Sequence, residues 1–478
     1  MNTIQMWFAC VAQRARFAIA FVAVTVLAGC AAPGQEARSR AAAPKNIIIV
    51  FADGTAPTQW EFGRYTSHEF RKKPFAATDV VFKTGALGLL TTHSADSFVT
   101  DSAAAATAMS IGYKTNNGMI GVTPDGKAVT TVMEAAKARG KRIGLVTTAA
   151  IHDASPAAFS VHARSRRDAQ SIVDQYLALE PDVLMGGGRD YFLPRGKGAG
   201  RRSDGKDVVA AFAAKGYQVV QDNAALAKVG ETSLLGLFAD EDLDLELDRN
   251  TAEPSTADMM AAALRVLERD NRNGFVLFVE NENTDTAGHR NDLASLMHAL
   301  WAVDDALQVA LDFQKRSAGE TLVIVTGDHE TGGLSVTYAN ANLTSNDRIS
   351  PARAELEMIA GIRMSLDKAA ERLGAKPTAE ALDKVIAEGF PGFRLDDDLR
   401  DAILNRRAIE RNATYLPQST LGRMIARQTG AYWGTAGHTP EPVAVGAIGP
   451  GAIGFRGYMD NTDFAKELHK LIDSGGVR

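Results

Sequence analysis

The chain has 478 residues, of which 45% are hydrophobic and 23% are charged, and its net charge is −5. This composition is ordinary for a soluble globular protein, and the length allows a large core that needs no disulfide bonds for stability. The lack of a basic surplus argues against a nucleic-acid-binding protein.

The N-terminus carries a predicted targeting segment. Arg14 and Arg16 precede an apolar run at 17–27 that is too short to favour a spanning helix. The sequence LAGC that ends at Cys30 resembles the signal box of bacterial lipoproteins, in which this cysteine becomes the first residue and carries lipid. A plain secretory signal, cut one or two residues later, is the alternative.

These features define the predicted domain organisation. We expect a signal segment at 1–30, a tether at 31–45 and one catalytic domain at 46–478. Cys10 and Cys30 are the only cysteines, so the mature domain contains no disulfide. The prediction is an exported protein of the periplasm or cell envelope, whose one contact with a membrane is a lipid on Cys30.

Short apolar runs alternate with helical patterns along the predicted domain. Buried parallel strands are predicted at 46–51, 142–147, 275–280, 321–326 and 443–448, with a weaker candidate at 182–185. Helices are predicted at 131–139, 256–269 and 293–313. This alternation predicts an α/β fold, a three-layer sandwich with a mostly parallel central sheet.

The pattern changes between about 350 and 430, where helices follow one another without a strand. They are predicted at 352–373, 378–388, 396–407 and 420–429. We interpret this block as a helical insertion. Its role is either surface packing, including a subunit interface, or a cap over the functional site.

Chemically active side chains follow several of the predicted strands. Asp53 follows the first, Ser155 the second, Glu280 ends another, and Asp328 and His329 follow the next. In an open α/β sheet, ligands bind beyond the carboxyl ends of the strands. A single aspartate at such a position is usually a turn residue, but several such ends on one edge predict a functional site.

The residue types at this edge suit metal ions. Asp285 and His289 are four residues apart, which places both on one face of a helix, and His438 precedes the last predicted strand. Three histidines with carboxylates form the mixed nitrogen and oxygen set that zinc accepts, whereas hydroxyl and carboxylate oxygens suit magnesium.

The sequence VTDSAAAAT at 99–107 supplies a candidate nucleophile. Small residues after Ser102 predict a helix packed tightly against the sheet, with Ser102 at its N-terminus, where backbone N–H groups favour phosphate. The alternative is an ordinary Asp or Ser helix cap. No Ser-His-Asp arrangement is recognisable, so activation of the hydroxyl by zinc is the natural hypothesis.

This serine sequence resembles the signature of the alkaline phosphatases, and the similarity extends over about 46–464, excluding much of the insertion. The resemblance implies two zinc ions and one magnesium ion, with Ser102 as nucleophile and Arg166 as the phosphate-binding arginine. It assigns the metal ligands as follows: Asp285, His289 and His438 for the first zinc; Asp53, Asp328 and His329 for the second; Asp53, Ser155 and Glu280 for magnesium.

The sequence departs from the family pattern in places. The first strand ends Ala-Asp-Gly-Thr rather than Gly-Asp-Gly-Met, and Thr286 stands where relatives carry Lys, His or Trp, a position that adjusts phosphate affinity. Glu282, Glu330 and His298 have no assigned role, and we interpret them as structural.

The resemblance implies hydrolysis of small phosphate monoesters through a phosphoserine. The alternatives are a phosphodiesterase of the same superfamily and a lipoprotein that binds phosphate or metal without turnover. The family is often dimeric, but no interface is recognisable in the sequence, so a homodimer is left open.

Overall fold

A computed structural model describes residues 43–230, 232–317, 319–337, 339–340, 348–349, 353–409 and 415–474. The predicted signal segment and most of the predicted tether lie outside the described residues. Among the helices that are described, none combines the length and the apolar character needed to cross a bilayer.

Within the described residues, the chain forms a ten-stranded central sheet and three two-stranded ones. In chain order the strands are β1 Asn46–Ala52, β2 Ala86–Leu90, β3 Arg142–Ala150, β4 Val183–Gly187, β5 Gln218–Val220, β6 Leu234–Leu237, β7 Phe275–Asn281, β8 Thr321–Thr326, β9 Glu330–Thr331, β10 Leu334–Val336, β11 Ala339–Asn340, β12 Arg348–Ile349, β13 Ala431–Trp433, β14 His438–Thr439, β15 Val443–Ile448 and β16 Gly457–Met459. The central sheet has the order β16-β2-β15-β8-β1-β7-β3-β4-β6-β5.

The mostly parallel sheet that the sequence predicts is confirmed, with one difference. Strand β1 runs parallel to β7 and β8, and the row from β7 to β5 continues in parallel. Strand β15, predicted to be parallel, pairs antiparallel with both β8 and β2. An apolar run shows that a strand is buried but carries no signal of its direction.

Helices cover both faces of the central sheet. They are α1 Pro57–Thr66, α2 Ser102–Ile111, α3 Val132–Ala138, α4 Ala154–Ala158, α5 Ala169–Leu179, α6 Val208–Ala214, α7 Asn223–Leu226, α8 Thr256–Glu268, α9 Asn283–Arg290, α10 Leu293–Arg316, α11 Arg353–Ala360, α12 Leu366–Leu373, α13 Ala379–Gly389, α14 Asp397–Leu404, α15 Pro417–Thr429 and α16 Asn461–Ser474. Shorter helical turns lie at Ser67–Arg71, Ala76–Phe82, Arg189–Phe192 and Ala452–Phe455.

Strand β1 shows why both faces must be covered. Its side chains alternate between two cores: Ile48 and Val50 pack in one, and Ile47 and Ile49 in the other. All four are buried. Because successive side chains of a strand point to opposite faces, a continuous apolar run requires a helical layer on each side.

Helices α11 to α15 occupy the region predicted as helical. The single helix predicted at 352–373 is wrong, since the chain forms α11 and α12 with a break between them. The break follows from Ser365, whose side chain accepts a hydrogen bond from the backbone N–H of Lys368 and so starts a new helix.

Candidate active site

The predicted site residues lie where the central strands end. Asp53 directly follows β1, Glu280 is near the end of β7, and Asp328 follows β8. In the parallel pairing, Phe51 of β1 lies opposite Glu280 and also opposite Thr326 of β8. The register therefore brings three carboxylates from distant parts of the sequence to one edge.

Asp53, Asp328 and His329 form one cluster, whose ligand atoms lie within 4.8 Å of one another. The Nε2 atom of His329 is 3.2 Å from Oδ2 of Asp328 and 3.5 Å from Oδ1 of Asp53. Both of these carboxylate oxygens are buried without a hydrogen-bond partner among the described residues. Unpartnered buried oxygens around one imidazole nitrogen suit a cation, because burying charge without compensation is costly.

The electrostatics of this edge also favour a bound cation. Burial raises the pKa of Asp53 well above its usual value, and repulsion from Asp328 adds to the shift. Burial likewise raises the pKa of Glu280 to about 8 and that of Asp328 to about 7. A metal ion between such carboxylates restores their ionised form and relieves their repulsion.

Asp285, His289 and His438 form a second cluster, which is the set that the resemblance assigns to the first zinc. Asp285 and His289 lie four residues apart on α9, and the His289 Nε2 atom is 3.1 Å from Oδ2 of Asp285. The Nε2 atoms of His289 and His438 are 3.1 Å apart.

The outer nitrogens of the two histidines determine which atoms face the cluster. Nδ1 of His289 lies 2.7 Å from the carbonyl oxygen of Ala436, and Nδ1 of His438 lies 2.8 Å from that of Thr100. Because a carbonyl only accepts hydrogen bonds, both Nδ1 atoms must carry protons, so in neutral imidazoles both Nε2 atoms present lone pairs. Two lone pairs and a carboxylate facing one another are the donor arrangement of a metal site.

The two clusters are adjacent through Gly54. Its backbone has a φ of +69°, and a Cβ added there would lie 2.7 Å from Oδ1 of Asp285. Its N–H donates to Oδ1 of Asp328 at 3.3 Å. The glycine therefore lets the loop after Asp53 pass closely between the carboxylates of both clusters.

A third set consists of oxygen ligands. Ser155 Oγ lies 3.3 Å from Oδ2 of Asp53, and Glu280 accepts a hydrogen bond of 2.6 Å from Thr147 Oγ1. Sequence reasoning missed Thr147 as a partner of this set. Its position near the end of β3 was the available signal, since that end was already predicted to reach the site.

Ser102 is the first residue of α2, and Asp101 caps this helix by accepting from the N–H of Ala104. The Ser102 hydroxyl is 3.1 Å from Nε2 of His329, the atom that also faces the two unpartnered carboxylate oxygens. The candidate nucleophile therefore borders the first cluster and lies at a helix N-terminus, which favours anionic groups.

Arg166 is oriented by two carboxylates. Its Nη2 atom contacts both oxygens of Asp153 at 3.0 and 3.1 Å, and its Nη1 atom lies 3.4 Å from Oδ2 of Asp101. Asp101 directly precedes Ser102, which connects the guanidinium to the nucleophile segment. Neither aspartate was predicted to orient Arg166, because no local sequence pattern reveals a pairing between residues so far apart in the chain.

Thr286 lies on α9, and its hydroxyl donates to Oε1 of Glu282 at 2.7 Å. Burial raises the pKa of Glu282 well above its usual value. The Thr286 hydroxyl is thus hydrogen-bonded to the residue that directly precedes α9.

Comparisons with known proteins identify the family to which the chain belongs. The family model described as "Alkaline phosphatase" matches residues 44–473. Alkaline phosphatase 3 of Bacillus subtilis is 33% identical over 436 residues, covering 90% of this chain and 89% of the relative. The crystal structure of Thermus thermophilus alkaline phosphatase has a TM-score of 0.81 at 30% identity, covering 90% of this chain and 91% of that one. The cold-active enzyme of the psychrophile Shewanella sp. has a TM-score of 0.73, also at 30% identity, with 89% and 99% covered.

Because Oδ1 of Asp53 and Oδ2 of Asp328 lack hydrogen-bond partners among the described residues, we predict that Asp53→Asn changes the stability relative to the wild type in opposite directions with and without divalent cations. Without divalent cations, the variant should be as stable as the wild type or more stable, by up to about 1–3 kcal/mol, because it removes a buried and uncompensated carboxylate. With zinc and magnesium supplied, it should be less stable, because a ligand is lost. Thermal unfolding after chelation and after metal addition measures both effects.

The matched control is Asp312→Asn, on an exposed part of α10, which should change stability little in either state. A change of the same sign for Asp53→Asn in both states would contradict a cation site at this cluster.

Proposed function

The chain belongs to the alkaline phosphatase family and is a phosphoric monoester hydrolase, and we propose that it acts through a phosphoserine formed on Ser102 at a site for two zinc ions and one magnesium ion. The observation that carries this proposal is the 3.1 Å contact between the Ser102 hydroxyl and Nε2 of His329, within a cluster of unpartnered carboxylate oxygens. A serine hydroxyl beside a cation site can lose its proton and become a nucleophile.

The donor sets fit the metals that the sequence predicts. Asp285, His289 and His438 would hold one zinc, and Asp53, Asp328 and His329 the other, because each set mixes nitrogen and carboxylate donors. Asp53, Ser155 and Glu280 offer oxygens alone, which suits magnesium. When bound, the cations would supply Lewis acidity at the attacking and leaving oxygens.

The chain's own residues perform the remaining steps. Arg166, held by Asp153 and Asp101, binds two phosphoryl oxygens through its two terminal nitrogens. The Ser102 hydroxyl loses its proton to solvent and its oxygen attacks phosphorus. The bond from phosphorus to the leaving oxygen breaks, and the alcohol departs after taking a proton from solvent. Water then attacks the phosphoserine, which releases phosphate and regenerates the Ser102 hydroxyl.

The helices at 353–429 are proposed to border this site as an insertion. Arg290, next to His289, pairs with Asp367 of α12 at 2.8 Å. A cavity of about 470 Å³ lies between α15 and the segment that leads to His438, and its lining includes Leu416, Trp433 and Ala436. The carbonyl oxygen of Ala436 is the partner of His289 Nδ1, so the cavity adjoins the second cluster. This role is tested with a Ser419→Trp variant, in which the tryptophan would fill the cavity. The measurement is the rate of hydrolysis of bulky phosphate esters relative to small ones, compared with the wild type.

A second proposal concerns the quaternary structure and rests on exposed apolar residues at one edge of the central sheet. Leu87, Leu89 and Tyr458 are exposed apolar residues near one edge of the central sheet, beside a groove along α1. Apolar patches of this kind often mark association surfaces. We propose a homodimer through this edge, and sedimentation of the wild type and a Leu89→Lys variant tests it.

We predict that Ser102→Ala lowers kcat for an aryl phosphate monoester by several orders of magnitude, because the covalent route needs the hydroxyl oxygen. Ser110→Ala on the same helix is the matched control, since its hydroxyl contacts only the N–H of Val132 in the described structure, and it should retain activity. Near-normal turnover by folded Ser102→Ala protein would rule out the phosphoserine route.

A second prediction separates monoesters from diesters. A monoester has one more free phosphoryl oxygen than a diester, and the all-oxygen set would hold a cation that neutralises its charge. Glu280→Gln should therefore reduce kcat/KM for an aryl monoester far more than for an aryl diester, measured with zinc and magnesium supplied.

Glu246→Gln is the control for this measurement, because Glu246 is a half-buried glutamate that accepts from two asparagine amides, those of Asn281 and Asn283. Equal losses on both substrates in Glu280→Gln would make Glu280 a general support. A wild type that prefers the diester would favour a phosphodiesterase.

Export and lipid attachment remain a proposal, since Cys30 lies outside the described residues. Its support is the LAGC sequence and the absence of any later cysteine. We predict that the intact mass of protein made in a bacterial host exceeds that of the chain beginning at Cys30 by an acylated glyceride. A soluble species that begins at residue 31 or later would contradict it. If it is correct, the polar segment at 31–45 connects the enzyme to a membrane surface.

A further inference from the structure

Glu330 is a buried carboxylate that belongs to none of the three ligand sets. It is 1% exposed and follows His329 directly. Four hydrogen-bond donors converge on it: Gln59 Nε2 and the N–H of Leu334 on Oε1, and the N–H of Gly333 and the hydroxyl of Thr439 on Oε2. Each oxygen therefore accepts two hydrogen bonds, which uses the full capacity of a carboxylate.

These donors come from segments that carry metal ligands. Gln59 accepts a hydrogen bond from the N–H of Ala56, in the loop that follows Asp53. Thr439 follows His438 and donates to Glu330 at 2.6 Å. One carboxylate thus connects the Asp53 loop, the His329 segment and the His438 segment, which belong to two different clusters.

The backbone around Glu330 reinforces the same connection. Strands β9 and β14 pair so that Glu330 lies opposite Thr439 and Thr331 lies opposite His438. The N–H of Thr331 donates to the carbonyl of Gly54 at 3.1 Å, and its hydroxyl donates to Asp285. A shift of Glu330 would therefore move ligands of both clusters relative to each other.

We infer that Glu330 is a positioning residue that sets the spacing between the two metal clusters by holding the strand of His438 against the segment of Asp328 and His329. The inference rests on the proposed function in one respect, namely that the clusters bind zinc. Outer residues that orient metal ligands commonly change metal affinity by about 10- to 100-fold when they are replaced.

The contacts explain why a carboxylate is required. In Glu330→Gln, the new amide N–H₂ group would replace one of the two oxygens. Near the Oε2 position it would face the N–H of Gly333, and near the Oε1 position it would face the N–H of Leu334. Backbone N–H groups cannot accept hydrogen bonds, so either orientation leaves a donor facing a donor.

The test uses the full chain after its metal has been removed. Zn²⁺ affinity is measured by adding Zn²⁺ in competition with a chelator. In a parallel sample Co²⁺ is added and the visible absorption spectrum is recorded. Glu330→Gln should bind Zn²⁺ at least about tenfold more weakly at one cluster or both, and should change the Co²⁺ spectrum. Thr439→Val removes a single contact and should weaken the cluster that contains His438 while leaving the Asp53 cluster close to normal.

Asp304→Asn is the matched control. Asp304 is also buried and accepts a backbone hydrogen bond, from Ala76, and it pairs with Arg71, but it contacts no predicted ligand. It should lower the unfolding temperature without changing Zn²⁺ affinity or the Co²⁺ spectrum. This control separates a loss of general stability from a loss of ligand positioning.

The outcomes are distinct. If wild type binds two Zn²⁺ ions and both Glu330→Gln and Thr439→Val match its affinities and spectrum, the inference is wrong and the proposed function stands. If wild type binds no Zn²⁺, the proposed function fails first. Should Glu330→Gln not fold, Thr439→Val decides: weaker binding confined to the His438 cluster supports the inference, and unchanged binding overturns it.

Discussion

Mutual repulsion among buried carboxylates is the constraint around which this fold is arranged. Asp53, Asp328 and Glu280 have raised pKa values, for which burial is the largest cause and neighbouring carboxylates contribute further. Such a set is unfavourable unless cations compensate it. Hydrogen bonds from the N–H of Gly54 to Asp328 and from the hydroxyl of Thr147 to Glu280 hold two of these carboxylates in place despite that repulsion.

The parallel strands of the central sheet bring these carboxylates together at one edge. Strands β8, β1, β7 and β3 are neighbours in the central sheet, and their interiors are buried and largely apolar. Three of them place a carboxylate at or just beyond the carboxyl end: Asp53 after β1, Glu280 in β7 and Asp328 after β8. The cores on both faces hold the strands in register. A register shift by one residue would turn Glu280 to the opposite face of the sheet, so the packing of Ile47 to Val50 also determines the chemistry.

Much of the fold and of the site could be predicted from the sequence because their signals are local. Apolar runs indicated the strands β1, β3, β7, β8 and β15, with β4 as a weaker candidate, and the serine sequence at 99–107 indicated the family. The direction of β15 was predicted wrongly, and the short strands β2, β5, β6 and β16 were not predicted, since direction and pairing depend on distant partners. Glu330 was interpreted as merely structural for the same reason: its partners Gln59 and Thr439 lie 271 and 109 residues away. The ligand assignments and the lipid on Cys30 remain predictions.

The distribution of the site along the chain has a consequence for biogenesis. The first candidate ligand, Asp53, lies near the start of the folded domain, and the last, His438, enters only with the pairing of β14 and β9. A nascent chain therefore lacks a complete second cluster until nearly all of it has been synthesised. Binding of a cation at that cluster has to follow the pairing of β14 with β9, a late step in the folding of the chain, whereas the cluster of Asp53, Asp328 and His329 is complete about a hundred residues earlier.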